Sequence, residues 1–524
     1  MVKVAVIGGG ISGLACARRL QQLGTEAVVF DTGKHAPGGR CSSRQWAGRV
    51  VDHAAQYLTA TTPAFTDFLR ELETEKIVRK WPNGRVGRLA ADGHFEADSV
   101  ERYVSVEGMG AFAASLARGL DVRQDVWVSP NGGIRREADG RWSLKAPSSP
   151  RFDHVVVAHN GKCAFRLTSS QPAVHVHTLL RADFKAQLPT SAKDDARMTL
   201  NSIYSLAVEL PSGAMPATFD GAFAVDSPTL RWLCSNDRKL GAAPGPTEVW
   251  TLLSTGAFGS KHKTAQEYLA GSEKEAEVVA LMLGAAEEAA GLEAGALARS
   301  AVRTRLQLWG AAQPLNRWDA PFVWDATHGI GVCGDWLQPD ATAAAASTLE
   351  GAWLSGTALG DHVAAAETRG RDVGVALGAD GGRFVAVGGG FGSAPGRELP
   401  PPSAVRPPRS ASPRGEAPAA AAPSERLFVR NLPYSITEDD LQTHLGGDAI
   451  IASVQLLRDD QGRSRGLARV RAASVDAAAA AVKLDGADCG GRKVKVAYDN
   501  GPPARGGRGR GRGRGAGRGA ALAK

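Results

Sequence analysis

The chain has 524 residues, of which 43% are hydrophobic and 22% are charged, a profile typical of a soluble protein of about three domains. No stretch approaches the roughly 18 consecutive apolar residues of a membrane span, and the first predicted strand begins at Lys3 with no leader ahead of it, so we expect neither membrane insertion nor a cleaved secretory signal. Residues 501–524 contribute +7 of the net charge of +8, so we expect the tail, but not the body, to attract polyanions.

The N-terminal residues predict a strand, a glycine-rich turn and a helix in immediate succession. Lys3 to Ile7 is a short apolar run that suits a buried parallel strand. Residues 8–13, GGGISG, satisfy the pattern G-x-G-x-x-G, and helical spacing then runs from Leu14 to Leu23, with Gly24 as its expected end. This order of elements is the context that a dinucleotide-binding turn requires.

Each glycine of this turn has its own expected role. Gly8 permits the tight turn, Gly10 lets the backbone approach a pyrophosphate, and Gly13 lets the helix pack closely on the strand. Ile11 and Ser12 open the helix, whose N-terminus offers amide donors and a partial positive charge to phosphate oxygens.

A second predicted strand, Thr25 to Phe30, ends beside Asp31, which follows Gly13 by 18 residues. A carboxylate at this point accepts hydrogen bonds from ribose hydroxyls. The sequence therefore predicts a dinucleotide site, although this motif alone does not separate FAD from NAD.

The residues that follow carry a second pattern. Gly38-Gly39-Arg40 is followed by Arg44 and then by residues 52–60, DHAAQYLTA. This segment resembles the renalase-like branch of the amine-oxidase flavoprotein superfamily, in which GGR is followed by D-x-G-A-Q-Y-x-T. Ala54 stands where that family has glycine.

The resemblance implies that the cofactor is FAD. It places Gly39 and Arg40 beside the pyrophosphate, and Ala55 and Gln56 beside the flavin ring. The chemistry of the side chains agrees, because a guanidinium offers a fork of donors to phosphate oxygens and the amide of Gln56 can bond the polar edge of a flavin.

Two later segments match the same family. A predicted strand from Gly329 to Val332 precedes Gly334-Asp335, and residues 347–356, STLEGAWLSG, are similar to the family's motif (V/L)EGAxxSG at the start of a helix. The resemblance implies that Asp335 binds a ribityl hydroxyl, and that Gly351 and Ala352 let the helix end approach the flavin and its diphosphate.

A weaker match is a predicted strand from Asp121 to Val128. Relatives place the backbone of a valine against the adenine at the end of this strand, and by spacing that residue is Val128. Val155 to Ala158 resembles the strand that then returns to the sheet.

These matches predict an α/β body over residues 1–365. FAD-binding segments are expected at about 1–60, 105–160 and 320–365, in a Rossmann-like domain, and an inserted α+β substrate domain at about 61–104 and 165–315. Trp250 to Thr255 and Leu308 to Gly310 are expected to be strands of the inserted domain.

The resemblance implies hydride transfer from a dihydronicotinamide- or amine-type small molecule to the flavin, with electrons passing on to oxygen. No catalytic side chain is identified. Seven residues are candidates for the pocket, although core or surface positions are the simpler interpretation of each: Lys162, Tyr204, Trp232, Trp250, Lys261, Trp309 and His328.

Several other classes lack their motifs. Residues 388–393, GGGFGS, nearly repeat the glycine pattern, but Ser393 replaces the third glycine and Pro395 interrupts the needed helix. The six cysteines include no C-x-x-C and no zinc-ligand spacing, so we expect no metal site and isolated thiols in an intracellular, cytoplasmic or nuclear, protein.

Residues 366–425 are rich in glycine, then in proline, serine and alanine, and predict a disordered linker. Residues 426–499 regain alternating apolar residues, and residues 500–524 are an Arg-Gly tail that cannot bury a core. The order of elements in 426–499 predicts a ferredoxin-like β-α-β-β-α-β fold, the RNA recognition motif, with its hexamer at Leu427 to Leu432 and its octamer at Arg465 to Ala472.

We expect weak or salt-sensitive RNA binding by this module. Such sheets stack bases on aromatic rings, and here Phe428 remains whereas Leu467 and Arg469 occupy two expected aromatic positions. The expected RNA-binding residues are Phe428, Arg430, Arg465 and Arg469, of which Arg469 would pair with phosphate or stack through its guanidinium. A module that contacts protein instead stays an alternative.

Two hypotheses follow. In the first, the chain is an FAD-dependent oxidase or dehydrogenase that carries an RNA-binding module. In the second, it is an RNA-binding protein whose flavoprotein domain is structural or sensory.

Overall fold

The computed structural model describes residues 2–90, 92–129, 131–146, 149–188, 197–375, 384–387, 424–433, 436–458, 464–489 and 492–498. Two compact units divide the chain at residues 399 and 400, and each is described by itself. The glycine-rich repeat at 388–393, the Arg-Gly tail and most of the predicted linker lie outside the described residues.

The strands of the first unit, in chain order, are β1 (Lys3–Ile7), β2 (Glu26–Phe30), β3 (Ser43–Trp46), β4 (Arg49–Asp52), β5 (Val78–Lys80), β6 (Val86–Leu89), β7 (Phe95–Ala97), β8 (Tyr103–Ser105), β9 (Asp121–Arg123), β10 (Ile134–Arg136), β11 (Trp142–Leu144), β12 (His154–Val157), β13 (Ala182–Phe184), β14 (Met198–Leu200), β15 (Ile203–Pro211), β16 (Gly221–Ala224), β17 (Leu230–Ser235), β18 (Thr247–Ser254), β19 (Arg303–Trp309), β20 (Asn316–Trp318), β21 (Val323–Asp325), β22 (Ile330–Val332) and β23 (Phe384–Ala386).

Its α-helices are α1 (Ile11–Gln22), α2 (Pro63–Thr74), α3 (Met109–Ala117), α4 (Gly161–Thr168), α5 (Val174–Leu179), α6 (Asn236–Leu240), α7 (Gly256–Lys261), α8 (Glu273–Ala289), α9 (Ala296–Ser300), α10 (Leu349–Ala364) and α11 (Ala366–Arg369). Short 3₁₀ segments span Gly39–Cys41, Gln266–Tyr268 and Asp340–Ala345. Among the helices that the structure describes, none is both long and apolar enough to cross a bilayer.

A six-stranded sheet carries the N-terminal turn. Its order is β21-β22-β12-β1-β2-β9, and β1 lies between β2 and β12 with parallel pairing to both. Val4 to Ile7 are buried, as an apolar strand covered on both faces requires. β21 is antiparallel to its neighbour β22.

One strand of this sheet is shorter than the sequence suggested. β9 ends at Arg123, whereas we predicted a strand from Asp121 to Val128. Asp125 adopts a positive φ of 54°, which an extended strand cannot include, so the chain turns there. Val126 then donates to the carbonyl of Asp31 at 2.9 Å and returns the segment to the end of β2.

The helices α1 and α10 pack together at backbone distance. A Cβ on Gly356 would stand 2.1 Å from the carbonyl oxygen of Ser12, and a Cβ on Gly360 would stand 2.8 Å from the Cβ of Arg19. Glycine at these two positions therefore permits the contact, which joins the beginning of the unit to residues more than 300 positions later in the chain.

A separate seven-stranded sheet of this unit has the order β19-β15-β18-β17-β16-β6-β7. One face packs with α8 and buries residues such as Leu206, Trp250 and Met282. The other face meets the β3–β4 hairpin, where the Thr251 hydroxyl donates to the carbonyl of Asp52 at 2.8 Å. This contact fixes the segment that begins at residue 52 against the sheet.

The predicted linker includes residues that are in fact packed. Ala366–Arg369 forms α11, and Phe384–Ala386 forms β23, which pairs with β20. The ring of Phe384 is buried against Trp318 and Trp336. The short apolar run of β23 is long enough to pair with β20. Its glycine-rich surroundings hide this strand in the sequence.

His154 at the start of β12 predicts a pH-dependent stability. Burial and, after it, the charge of Arg369 together lower the pKa of His154 to about 4. Because the unfolded pKa is near 6.5, this contribution is complete above pH 6.5 and is lost as the pH falls toward 4. The free energy of unfolding in urea should fall as the pH is lowered from about 7 to about 4.5. We expect this fall to be smaller in His154→Asn than in the parent chain, by on the order of 2 kcal/mol. The exposed His94, changed to Asn, serves as the control, and an equal loss in all three chains would contradict the assignment.

The second unit contains β24 (Arg426–Arg430), α12 (Glu438–His444), β25 (Ile451–Arg458), β26 (Ser464–Ala472), α13 (Val475–Val482), β27 (Asp488–Cys489), β28 (Arg492–Lys493) and β29 (Lys495–Tyr498). Its four-stranded antiparallel sheet has the order β25-β26-β24-β29. Thr437 caps α12 by accepting from the amide of Asp440, whose carboxylate accepts from the amide of Thr437 in return. The β27–β28 hairpin was not predicted.

Candidate dinucleotide site and RNA interface

The turn between β1 and α1 depends on Gly8 and Gly13, where any side chain would displace the neighbouring backbone. Gly8 adopts a φ of +114° and donates to the carbonyl of Phe30 at 2.9 Å. A Cβ on Gly13 would stand 2.0 Å from the carbonyl oxygen of Gly8. The strand end and the first helical turn are therefore as close as the backbone allows.

Gly10 differs from the other glycines of the turn. A Cβ there would meet no described atom within 4 Å, so this side of the turn is open. Gly10 is also the N-cap of α1 and has no side chain to cap the helix, unlike Thr62 and Ser272, which cap α2 and α8. The amides of Ile11, Ser12 and Gly13 thus open a helix whose N-terminus is suited to an anion.

Residues 38–40 lie directly against this turn. Gly38 forms a parallel bridge with Gly10, and its amide donates to the carbonyl of Gly9 at 2.7 Å. Gly39 has a φ of +55°, and its Cβ position is 3.6 Å from the Cα of Gly10. These contacts place Arg40 beside the open side of the turn.

Arg40 and Asp335, two predicted cofactor ligands, contact each other. The two terminal nitrogens of Arg40 donate to the two carboxylate oxygens of Asp335 at 2.8 and 2.9 Å, and one also donates to the carbonyl of Ala312 at 2.8 Å. Burial lowers the pKa of the Arg40 guanidinium, but the Asp335 carboxylate more than offsets this, so that pKa lies above its ordinary value. About a third of the Arg40 side chain is exposed, whereas Asp335 is buried.

Asp31 and Val128 lie near the other end of the predicted site. Asp31 accepts from the amide of Gly9 at 3.3 Å, and a Cβ on Gly9 would be 2.8 Å from its carboxylate carbon. Asp125 donates to the carbonyl of Gly33 at 3.0 Å and brings its segment alongside Asp31. Val128 packs, half-buried, on the core of the six-stranded sheet.

Gly351 and Ala352 lie in the first turn of α10. A Cβ on Gly351 would stand 2.2 Å from the carbonyl of Ala345, and Thr348 caps the helix by accepting from the amide of Gly351 at 3.1 Å. Gly334 donates its amide to the Ser355 hydroxyl at 3.1 Å, which ties the Gly334-Asp335 turn to the same helix.

The buried Glu350 was missed by the sequence analysis. Its carboxylate accepts from the amides and hydroxyls of both Thr61 and Thr62, at 2.7 to 3.0 Å. It thereby joins α10 to the residues just after the DHAAQY segment. A glutamate in the predicted EGA motif was the available signal, but only the fold shows its partners.

Gln56 is engaged within the protein. Its amide nitrogen donates to the carbonyls of Asp52 and Ala54 at 2.9 and 3.1 Å, and its oxygen accepts from Lys239 at 3.3 Å. In the structure it therefore fixes the shape of its own segment, and the neighbouring Ala55 is half-buried.

Lys239 and Asp52 form an ion pair that the sequence did not reveal. The ammonium of Lys239 lies 2.7 Å from a carboxylate oxygen of Asp52, and both side chains are at most 1% exposed. The other Asp52 oxygen accepts from the Ser43 hydroxyl at 2.5 Å and from the Met109 amide at 2.8 Å. The pair locks the 52–57 segment between α6 and α3.

The remaining pocket candidates are dispersed. Tyr204 and Trp250 are buried on the face of the seven-stranded sheet that packs with α8, and His328 pairs with Asp325. Trp232 and Trp309 lie in a cluster with Tyr57 on the opposite face. The ammonium of Lys162 lies 5.5 Å from the ring centre of Phe184, and Lys261 is exposed at the end of α7.

The open face of the second unit's sheet is rich in arginine. Leu427 and Val429 are buried, so Phe428 and Arg430 lie on the opposite face, where the Arg430 guanidinium stands 5.2 Å from the ring centre of Phe428. Arg469 is exposed and lies opposite Phe428 in the β24–β26 pairing. The side chain of Arg465 lies outside the described residues.

Comparison with protein families identifies a domain in each unit. Residues 6–72 match the NAD(P)-binding Rossmann-like domain, and residues 427–495 match the RNA recognition motif. The chain thus combines a Rossmann-like dinucleotide-binding fold with an RNA recognition motif. Both parts of the predicted fold class are confirmed.

Curated relatives match segments about the length of the RNA recognition motif. The chain is 38% identical over 73 residues to Multiple RNA-binding domain-containing protein 1 of Neurospora crassa, which is 14% of this chain and 9% of that protein. It is 42% identical over 84 residues to the chloroplastic 33 kDa ribonucleoprotein of Nicotiana sylvestris, 16% of this chain and 25% of that one. The chain therefore spans no more than about a quarter of the length of these two relatives.

Solved structures resemble the first unit only in general shape. Cyclohexylamine oxidase from Brevibacterium oxydans superposes with a TM-score of 0.47 at 13% identity, over 69% of this chain and 98% of that one. An oxidoreductase from Methanosarcina mazei gives 0.45 at 14% identity, over 68% and 99%. A likeness at this level does not assign a reaction.

Proposed function

We propose that the first unit is an FAD-dependent oxidoreductase and that the second unit binds RNA. The observation that carries the first part is the open, uncapped turn at Gly10, beside Arg40 and Asp335. A diphosphate needs amide donors, a guanidinium and a path that no side chain obstructs, and this turn combines all three.

The described residues fit the two halves of such a cofactor. The amides of Ile11 to Gly13 and the Arg40 guanidinium would hold the diphosphate, and Asp31 would accept from the adenosine ribose. Asp335 would bind a ribityl hydroxyl once Arg40 turns its fork toward phosphate. Val128 would border the adenine, and the first turn of α10, at Gly351 and Ala352, would approach the flavin.

FAD, when bound, would accept a hydride from a reduced carbon of the substrate, and oxygen is the expected final acceptor of the electrons. The protein itself would position the substrate against the flavin and exclude water from the site. The Lys239–Asp52 pair and the Gln56 bonds hold the 52–57 segment rigid, so this segment can form one wall of a flavin site. We propose a dihydronicotinamide or an amine as the substrate and an intracellular location, which the six free thiols favour.

The full chain tests this proposal directly. Purified protein should carry flavin absorbance near about 450 nm, or gain it after incubation with FAD. Anaerobic mixing with a panel of dihydronicotinamides and amines should bleach that absorbance for at least one class. Protein that takes up no FAD, yet shifts RNA at about 150 mM salt, would favour an RNA-binding protein with a structural first unit.

RNA binding by the second unit should be dominated by phosphate contacts. Among the described residues of its open sheet face are one aromatic ring, Phe428, and the exposed cations Arg430, Arg469 and Lys495, of which Lys495 is paired with Asp485 at 3.2 Å. Affinity for single-stranded RNA should therefore fall steeply as salt is raised.

Replacing Arg469 with phenylalanine should tighten RNA binding and reduce its salt dependence. The new ring would lie opposite Phe428 and add a stacking position worth about 1–3 kcal/mol, while one phosphate contact is lost. Fluorescence anisotropy with a labelled single-stranded RNA, at several salt concentrations, measures both effects. Arg471→Phe is the control, because Arg471 lies at the end of the strand beside Glu425. Weaker binding by Arg469→Phe would contradict the prediction and show that the guanidinium contributes more to RNA affinity than a ring at this position.

A further inference from the structure

A small cavity lies between the β3–β4 hairpin and the seven-stranded sheet. It has room for about one water molecule, some 10 Å³, and opens to solvent. Its lining residues are Arg44, Trp46, Val51, His53, Ser205, Ala207, Arg305 and Gln307. None of these described residues carries a carboxylate.

The charges around the cavity are uncompensated. Arg305 is exposed on β19, where it lies opposite Ala207, and its guanidinium makes no hydrogen bond or ion pair with a described residue. Arg44 donates to the side-chain oxygen of Gln307 at 2.5 Å, and no carboxylate within the described part of the chain forms an ion pair with it. Burial lowers the pKa of Arg44, and the nearby charge of Arg305 lowers it further.

The nearest carboxylates are already paired. Asp52 is bound to Lys239, and Glu209, farther along β15, is bound to Arg303 at 2.6 Å and lies 3.5 Å from Arg49. Two guanidinium groups that face one cavity without an acid favour an anion at that place.

His53 supplies a buried polar group in the same wall. The residue is 6% exposed; its Nε2 lies 3.4 Å from the Ser42 hydroxyl, whereas its buried Nδ1 has no hydrogen-bond partner among the described residues. Its ring stacks on Trp309 at 5.4 Å, which holds it in place, and Trp309 donates to the His53 carbonyl at 2.9 Å. Burial and, after it, the charges of Arg44 and Arg305 lower the pKa of His53 to about 4, against the Asp52 carboxylate, which raises it. A neutral imidazole can donate one hydrogen bond from Nδ1.

We propose that Arg44, His53 and Arg305 form a binding site for a carboxylate group. One carboxylate oxygen would enter the cavity beside Arg44 and His53, while the other stays at the mouth beside Arg305. His53 belongs to the segment that would border the flavin, so the site would receive a carboxylate of the substrate. This last assignment rests on the proposed flavin function, whereas the anion site does not.

The consequence for the substrate is specific. A cationic amine would be repelled by two guanidinium groups, whereas an amine or dihydropyridine that also carries a carboxylate would be oriented by them. Within the proposed substrate classes, the carboxylated members are therefore expected to be preferred.

Binding of formate to the full chain tests the anion site without any reaction. We expect saturable binding, followed by line broadening of ¹³C-formate at constant ionic strength. Arg305→Gln and Arg44→Gln should each weaken it about tenfold or more, because each loses a charge-assisted hydrogen bond. Arg303→Gln is the matched control: it lies on the same strand and face, but its charge is already neutralised by Glu209. The affinity of Arg303→Gln for formate should stay within about twofold of the affinity of the parent chain.

Three results would overturn the proposal. They are the absence of saturable formate binding, equal formate affinity in Arg303→Gln and Arg305→Gln, and displacement of bound formate by chloride at concentrations lower than those at which formate itself binds. FAD uptake is measured on the same samples. Formate binding without FAD uptake would reject the flavin function and support the anion site. FAD uptake without formate binding would support the flavin function and reject the anion site.

Discussion

Gly10→Ala should abolish most FAD binding while the fold of the first unit remains intact. The added Cβ meets no described atom within 4 Å, so it should cost the unliganded protein little. It would, however, project into the side of the turn where the diphosphate is expected. We expect affinity for FAD to fall about 100-fold, equivalent to about 2.7 kcal/mol, as measured by quenching of flavin fluorescence.

Two further glycine variants separate binding from folding. Gly284→Ala adds a Cβ in open space on α8, far along the chain from the turn, and should leave FAD affinity unchanged. Gly13→Ala would place a Cβ 2.0 Å from the Gly8 carbonyl and should destabilise the unit as well as reduce binding. If Gly10→Ala bound FAD as tightly as Gly284→Ala, the diphosphate would not cross the turn at Gly10.

Lys239→Met should destabilise the first unit by about 3–5 kcal/mol, because it leaves the carboxylate of Asp52 buried without its counter-charge. Both partners are at most 1% exposed, so water cannot replace the lost ammonium without a local rearrangement. All 11 tryptophans lie between residues 46 and 353, so urea unfolding followed by tryptophan fluorescence reports this unit alone.

The controls for this prediction use the same chemistry. Lys80→Met removes an exposed partner of Glu101 and should leave the unfolding midpoint where it is. The double variant Asp52→Asn with Lys239→Met should recover part of the stability, since the uncompensated charge is gone. A single variant as stable as the parent chain would mean that Asp52 is protonated or hydrated in solution.

The sequence predicted those parts of the fold that depend on local patterns. The apolar run of β1, the glycine turn and α1 are contiguous, and each is determined by neighbours a few residues away. The second unit was predictable for the same reason, including Thr437 as the cap of α12. Strand ends were less predictable, because the positive φ of Asp125 that terminates β9 leaves no clear trace in composition.

Contacts between distant segments could not be predicted. The partners of Asp52, Glu350 and Arg40 lie 187, 288 or more, and 295 positions away along the chain. Nothing in the sequence indicates that Lys239 is buried, since lysine is normally exposed. The residue roles in the dinucleotide site, which rest on motif and resemblance, stay predictions until a ligand is bound.

The glycine contact between α1 and α10 has a consequence for how the protein is made. At synthesis rates of about 5–20 residues per second, α10 emerges roughly 20–70 s after α1. Throughout that interval the helix surface around Ser12 and Cys16 is not covered by α10, and for most of it strand β12 lacks its partner β22 from the far end of the unit. The nascent first unit should therefore depend on chaperones until residue 364 has left the ribosome, whereas the second unit, built from near neighbours, can fold as soon as it emerges.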